Sequence, residues 1–306
     1  MKILVTGGAG FIGSNLADKL ISSCHDVVVI DNLSTGKVEN LNSKAKFYKI
    51  DICNKDIVEI FEKEKFDIVY HVAAQIDIQK SIQDPINDAM INVMGTINIL
   101  EACRKNNVKK IIYSSTAAVY GNPNYLGIDE DHYKQPISFY GSSKLSSEYY
   151  ISTYSKLYNL DYTILRYSNV YGIRQDKNGE GGVISIFLDK MMDSEDVTIF
   201  GDGSATRDYI YVEDVVDANI SSIEYGSGEI FNIGTGKYTS VLKLFNIMAD
   251  ICNKDIGMIF ENERLEDIKD SYFEIDKSLN ILNWKPKFCL ENGLKKTIDY
   301  YESKGI

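Results

Sequence analysis

Residues 140 to 144 read YGSSK, a phenol and an ammonium four positions apart, just after the proline-bearing stretch KQPISF. On a helix, positions four apart share a face, so Tyr140 and Lys144 address one point. A free phenol titrates near pH ~10, too high for a base at neutral pH, and a neighbouring ammonium favours phenolate and draws that value down. A solvated helix face produces the same spacing, and a chain with 21 tyrosines and 33 lysines and arginines contains chance pairs. A third group narrows the reading. In IIYSSTAAVYG an apolar run ends in Ser114, Ser115 and Thr116, and the carboxyl ends of strands in an open α/β sheet are where ligands bind. A hydroxyl there bridges a substrate oxygen and the phenolate, although a hydroxyl cluster after a strand is also a common turn former.

Six β-branched runs supply the frame: KILVTG, DVVVID, KFYKID, DIVYHVA, KKIIYSS and YTILRYSNVYG. Between them FIGSNLADKLISS and DAMINVMGTINILEACRKNN carry helical periodicity. Strands alternating with helices predict an α/β, Rossmann-type doubly wound parallel sheet. Beyond Gly172 the pattern loosens into glycine and charge, RQDKNGEGG, and then into short mixed segments. Residues 1–172 are therefore expected to form a dinucleotide-binding domain and 173–306 a smaller mixed α/β substrate-binding lobe, with YIYVEDVVDANI and EIFNIGTG, near 209–237, returning to the first domain.

ILVTGGAGFIG reads as strand, glycine turn and helix start. Gly7 supplies the tight turn, Gly10 the close approach of backbone to a pyrophosphate at the helix N-terminus, and Gly13 the packing of helix on strand. Asp31, eighteen residues past Gly13 at the end of the second strand, is placed to grip an adenosine ribose and repel a 2′-phosphate, which favours NAD over NADP. Asp51 and Ile52, at the end of the third strand, border the adenine.

Composition removes other classes. The formal charge of −11 opposes nucleic-acid binding, and no apolar run reaches the ~18 residues of a membrane span. Five scattered cysteines without a C-x-x-C, and three isolated histidines, argue for reduced thiols, a cytoplasmic location and no metal site.

Taken in order, TGGAGFIG, DNLSTG, SSTAAVYG, YGSSK, RYSNVYG and RDYIYV resemble the extended short-chain dehydrogenase/reductase family, and within it nucleotide-sugar epimerases of the UDP-glucose 4-epimerase type. The resemblance runs through LNWKPK near the C-terminus. It implies Tyr140 as base, Lys144 as its pKa-lowering partner and anchor of the nicotinamide ribose, and Thr116 as the hydroxyl on the sugar's 4-OH. NAD is then lined further by Phe11, Ile12, Asn32, Ser34 and Gly36, by Ala73, Ala74 and Gln75, and by Ser114 and Tyr167, with Asn92 beside the nicotinamide pocket. On the substrate side it implies Asn169, Arg207 and Arg264 at the diphosphate, Phe200 at the uracil, and Gly182, Val183, Tyr209, Asp267 and Ser271 around the UDP-sugar. Two departures stand out: Gln75 and Ile76 occupy a stretch where one branch carries a lysine toward NAD, and Glu266 stands where the family often has glycine.

The implied reaction is inversion at carbon 4 of a UDP-hexose, UDP-glucose or UDP-galactose, through a 4-keto sugar that turns over and is reduced on its other face by retained NAD. Related dehydratases and decarboxylases carry acidic residues after the strand-five hydroxyl, whereas this chain has Ala117 and Ala118. A non-catalytic dinucleotide sensor is opposed by the intact Tyr140, Lys144 and Thr116. Ser271 matches a position where small residues admit an N-acetyl group, so UDP-N-acetylglucosamine is an alternative substrate. The family commonly pairs two helices from each subunit, here those near 85–106 and 140–157, which implies a homodimer.

Overall fold

In a computed structural model, residues 1–176, 182–263 and 268–305 of the chain are described. Six strands come first: β1 (Lys2–Thr6), β2 (Asp26–Asp31), β3 (Lys46–Lys49), β4 (Ile68–His71), β5 (Lys110–Thr116) and β6 (Asp161–Tyr167). With the later β11 (Glu229–Ile233) they make one sheet in the order β11-β6-β5-β4-β1-β2-β3, parallel throughout. This is the expected doubly wound α/β order. Its reversal point lies between β1 and β4, where crossovers leave on opposite sides and a crevice opens at the strands' carboxyl ends.

The register follows from burial on both faces. Ile3 and Val5 of β1 enter the core with α1 (Phe11–Ser22) and α8 (Val212–Ser221), while Leu4 between them enters the core with α2 (Ile57–Glu64), α5 (Gly95–Lys105) and α6 (Phe139–Tyr158). In β2, Val27 and Val29 alternate in the same way with Val28 and Ile30. A slip of one residue would exchange the two cores completely, so the strand is pinned. At the opposite rim the strands begin with charge. Lys2 pairs with Asp26 at 3.6 Å and with Glu64 at 2.6 Å, and Lys110 with Asp161 at 3.7 Å.

The long helical stretch before β5 is assembled from three pieces. After the short α3 (Ile78–Gln83), α4 (Pro85–Ala89) starts on the Asp84 side chain, which accepts from Asn87 N at 3.0 Å, with proline at the first helical position. A π-turn, Met90–Met94, then feeds α5. The run YTILRYSNVYG also departs from the single strand expected. Ser168 N donates to Ile233 O at 3.0 Å and Asn169 N to Asp208 O at 2.9 Å. The chain therefore leaves β11's side of the sheet after Tyr167, and β7 (Asn169–Tyr171) pairs with β10 (Tyr209–Tyr211) in a separate ladder.

The remaining strands are short. β8 (Val197–Phe200) pairs with β13 (Met258–Glu261), and β9 (Thr206–Arg207) lies between β12 (Thr239–Ser240) and β14 (Asp270–Ser271). α7 (Val183–Met192) and α9 (Val241–Cys252) pack beside them, and α10 (Asp276–Asn280) and α11 (Leu290–Lys304) end the chain. Phe187, Leu244 and Met248 share one apolar cluster with Val5 and Val29, so this part is continuous with the main core.

Candidate active site

A cavity of about 510 Å³ runs along the carboxyl ends of the central strands. At one end it is lined by Gly7, Gly10, Phe11, Ile12 and Gly13, then by Asp31, Asn32, Ser34 and Gly36, and by Asp51 and Ile52. Toward the other end come Ala73, Ala74 and Gln75, then Ser114, Thr116, Tyr140, Lys144 and Tyr167, and at the margin Asn169 and Gly182.

The glycine turn is forced by space. Gly7 sits at φ +70, and a Cβ on Gly13 would lie 2.1 Å from Gly7 O, so neither position tolerates a side chain without moving backbone. Gly10 opens α1 with no side-chain cap, and the first turn carries no acid. Amide donors at such an end suit an anion. Asp31 is buried, and its Oδ2 accepts from Ala9 N at 3.0 Å and its Oδ1 from Leu33 N at 2.7 Å. Each oxygen keeps a lone pair, so the carboxylate fixes the glycine loop and still accepts from a diol. Asn32 donates to Asp51 Oδ2 at 2.7 Å, joining the ends of β2 and β3.

At the other end α6 comes close to β5. Ser138 caps the helix by accepting from Gly141 N at 3.0 Å. A Cβ at Gly141 would lie 2.5 Å from Ala118 O, so glycine is what lets the first turn of α6, with Tyr140, rest on the turn following Thr116. Thr116 Oγ1 accepts from Ala118 N at 3.2 Å, which leaves the hydroxyl proton to be donated elsewhere. Lys144 is 2% exposed, with Nζ 4.3 Å from the centre of the Tyr113 ring. Burial pushes its ammonium down to about 7, against the pull of Glu148 and Asp88. His71 lies below, between Thr6 Oγ1 at 2.8 Å and Thr96 Oγ1 at 2.9 Å. Burial, with the Lys144 charge adding to it, lowers that imidazole to about 3, so it stays neutral.

Asn92 stands behind the cavity wall rather than in it. Its Oδ1 accepts from Gln75 N at 2.8 Å, and its Nδ2 donates to Gln75 O at 2.9 Å and Ser143 Oγ at 3.0 Å. Gln75 in turn reaches Asp88 Oδ1 at 2.9 Å. The π-turn carries Asn92, which ties the loop after β4 to α6. Lys80 is with Lys144 one of two cations among the described lining residues.

Val183, Phe200, Arg207, Tyr209 and Ser271 lie outside the cavity lining. Tyr209 is opposite Asn169, and Ser271 opposite Arg207. Arg207 Nη1 donates to Thr206 O at 2.8 Å and Lys269 O at 3.1 Å. Phe200 pairs with Glu261 at the end of β8, and Val183 begins α7. Arg264 and Asp267, like Glu266, fall outside the described residues. Lining residues that the sequence reading passed over include Asn87, Ile91 and Gln175, which carry no motif of their own. Glu148 and Arg166 were also missed, although Tyr140, Lys144 and Glu148 repeat one spacing of four.

Residues 3–234 match the model of the NAD dependent epimerase/dehydratase family. The chain is 39% identical over 311 residues to a UDP-glucose 4-epimerase of Mycolicibacterium smegmatis, covering 99% of each. It superposes with a TM-score of 0.98 on the crystal structure of a UDP-glucose 4-epimerase with UDP-glucose from Thermotoga maritima, 45% identical and covered over 100% of both chains. A UDP-N-acetylglucosamine 4-epimerase from Methanobrevibacter ruminantium, in complex with UDP-N-acetylmuramic acid, is 36% identical with a TM-score of 0.94, over 99% of this chain and 98% of that one.

Proposed function

The chain belongs to the NAD dependent epimerase/dehydratase family, and on that premise we propose that it inverts carbon 4 of a UDP-hexose, interconverting UDP-glucose and UDP-galactose. The observation that carries this reading is a single cavity lined at one end by an uncapped helix start and Asp31 and at the other by Thr116, Tyr140 and Lys144. NAD, when bound, supplies the reversible two-electron oxidation of carbon 4.

The residues supply the rest. The amides of 10–13 and Asp31 hold the dinucleotide at the adenosine end, and Lys144 anchors the far ribose. Tyr140 as phenolate takes the proton of the sugar's 4-OH, with the Thr116 hydroxyl donating into the same oxygen, and returns it when the turned sugar is reduced. Asn169 lines the cavity and its N donates to the carbonyl of Asp208, the residue after Arg207, a placement that suits holding the diphosphate while the hexose swings. Residues 1–172 with the segment near 209–237 form the dinucleotide half in this reading, and the remainder, with Phe200, Arg264 and Asp267, meets UDP.

Incubating the purified protein with UDP-sugars and no added NAD tests the proposal. Interconversion of UDP-glucose and UDP-galactose is expected, and absence of turnover on every UDP-sugar would instead favour a dinucleotide sensor. Acceptance of UDP-N-acetylglucosamine is the second reading, favoured by the small, half-buried Ser271 opposite Arg207.

We also infer a homodimer. Ile86, Met90 and Met94 are 76%, 47% and 49% exposed, and Tyr149 and Leu157 on α6 are 63% and 67% exposed. Exposed apolar side chains of this number on neighbouring helices mark an interaction face. Sedimentation should give twice 34.5 kDa, and Ile86→Glu with Leu157→Glu should return it to a monomer. We infer a cytosolic location, a reading that the five free cysteines support.

A further inference from the structure

Glu148 has no part in the chemistry just described, yet it is 2% exposed and lies on α6 four residues beyond Lys144. Its Oε1 accepts from Ser115 Oγ at 2.5 Å and from Arg166 Nε at 3.0 Å, and its Oε2 from Arg166 Nη2 at 2.6 Å. Arg166 is also 2% exposed, and its Nη1 donates to the Tyr120 hydroxyl at 2.8 Å. That hydroxyl donates to Asn232 Oδ1 at 2.6 Å. One buried ion pair thus joins α6 to β5, β6 and β11. Stability alone does not account for it, because a well-packed apolar pair of similar volume is often as stable as a buried ion pair or more so.

Its position offers another account. Ser115 borders the cavity together with Ser114 and Thr116 on either side of it, and α6 carries Tyr140 and Lys144. An epimerase uses the base and the hydroxyl twice, on opposite faces of the sugar, so these two groups must hold still while the substrate does not. Displacement of a reacting group by about 1 Å costs on the order of 10²-fold in rate.

We propose that Glu148 and Arg166 are positioning residues that clamp the carboxyl end of β5 to α6 and so fix the spacing between Thr116 and the Tyr140–Lys144 pair. The inference rests on the epimerase reading. Its test replaces both charges at matched volume, Glu148→Met with Arg166→Met, in the full-length protein with its dinucleotide. The thermal midpoint should stay near the parent's, while kcat falls about tenfold or more and KM for UDP-glucose changes less than about threefold. Backbone hydrogen exchange at residues 114–118 should quicken. A double variant with parental kcat and midpoint would overturn the proposal, since the pair would then be structural only. Ser115→Ala, which removes a single hydroxyl, provides the decision if the double variant does not fold: a kcat loss of about threefold or more at an unchanged midpoint supports the clamp, and parental kcat overturns it. Should the parent itself turn over no UDP-sugar, the proposed function fails separately. The clamp is then judged by exchange alone, and unchanged protection at 114–118 in the variants overturns it.

Discussion

Around the glycine loop, strands of four to seven residues pair along their length and are pinned by two cores. Around Arg207 the chain rests on ladders of two and three residues. The contrast matches what each half has to do. A dinucleotide must keep one pose through both half-reactions, whereas a sugar must present both faces and needs walls with local give. That give has one fixed point. Asp208, buried beside Arg207, accepts from Thr235 Oγ1 at 2.6 Å, Thr235 N at 2.9 Å and Gly236 N at 3.2 Å.

Substitutions in the two halves should therefore fail in different ways. Tyr140→Phe is expected to have the largest effect, lowering kcat by about 10³-fold while NAD, measured after denaturation, remains at the parental ratio. Loss of NAD together with activity would show that the rigid half depends on the phenol for binding as well as chemistry. Lys144→Met should also abolish most turnover, yet stabilise the NAD-free fold. Because burial lowers Lys144 to about 7 from 10.5, the unfolded chain binds a proton that the folded protein does not between these values. Stability of the parent thus rises with pH across that window, and the cost is fully present below it. The variant's advantage in denaturant melts should be greatest at or below pH 7, of the order of a few kcal/mol, and fade toward pH 10. The smallest effect belongs to the adaptable half. Ser271→Tyr should leave UDP-glucose turnover within about threefold and remove turnover of UDP-N-acetylglucosamine, the ratio of kcat/KM being the measurement. Equal loss of both would place Ser271 away from the acetyl group.

The rigid half was also the legible one. Continuous apolar runs such as KILV and DVVVI identify strands buried on both faces, and β1 to β5 begin and end within about two residues of the quoted segments, whereas β6 stops well before the end of its run. Tyr140 and Lys144 were readable because their spacing is intrinsic to a helix. β9 and β14 were not, since a two-residue strand has no period and exists only because Ser271 finds Arg207 sixty-four positions earlier in the chain. Glu148 illustrates another limit. An acid on a polar helix reads as a solvated face, and only Arg166, contributed by β6, makes its burial tolerable.

All seven central strands run the same way, so the chemistry lies at one rim and the ion pairs of Lys2 with Asp26 and Lys110 with Asp161 at the other. The charged rim makes a natural handle. A tether or dye placed at Lys109, 76% exposed beside Asp67, would immobilise or report on the molecule from behind, leaving nucleotide traffic on the opposite side undisturbed.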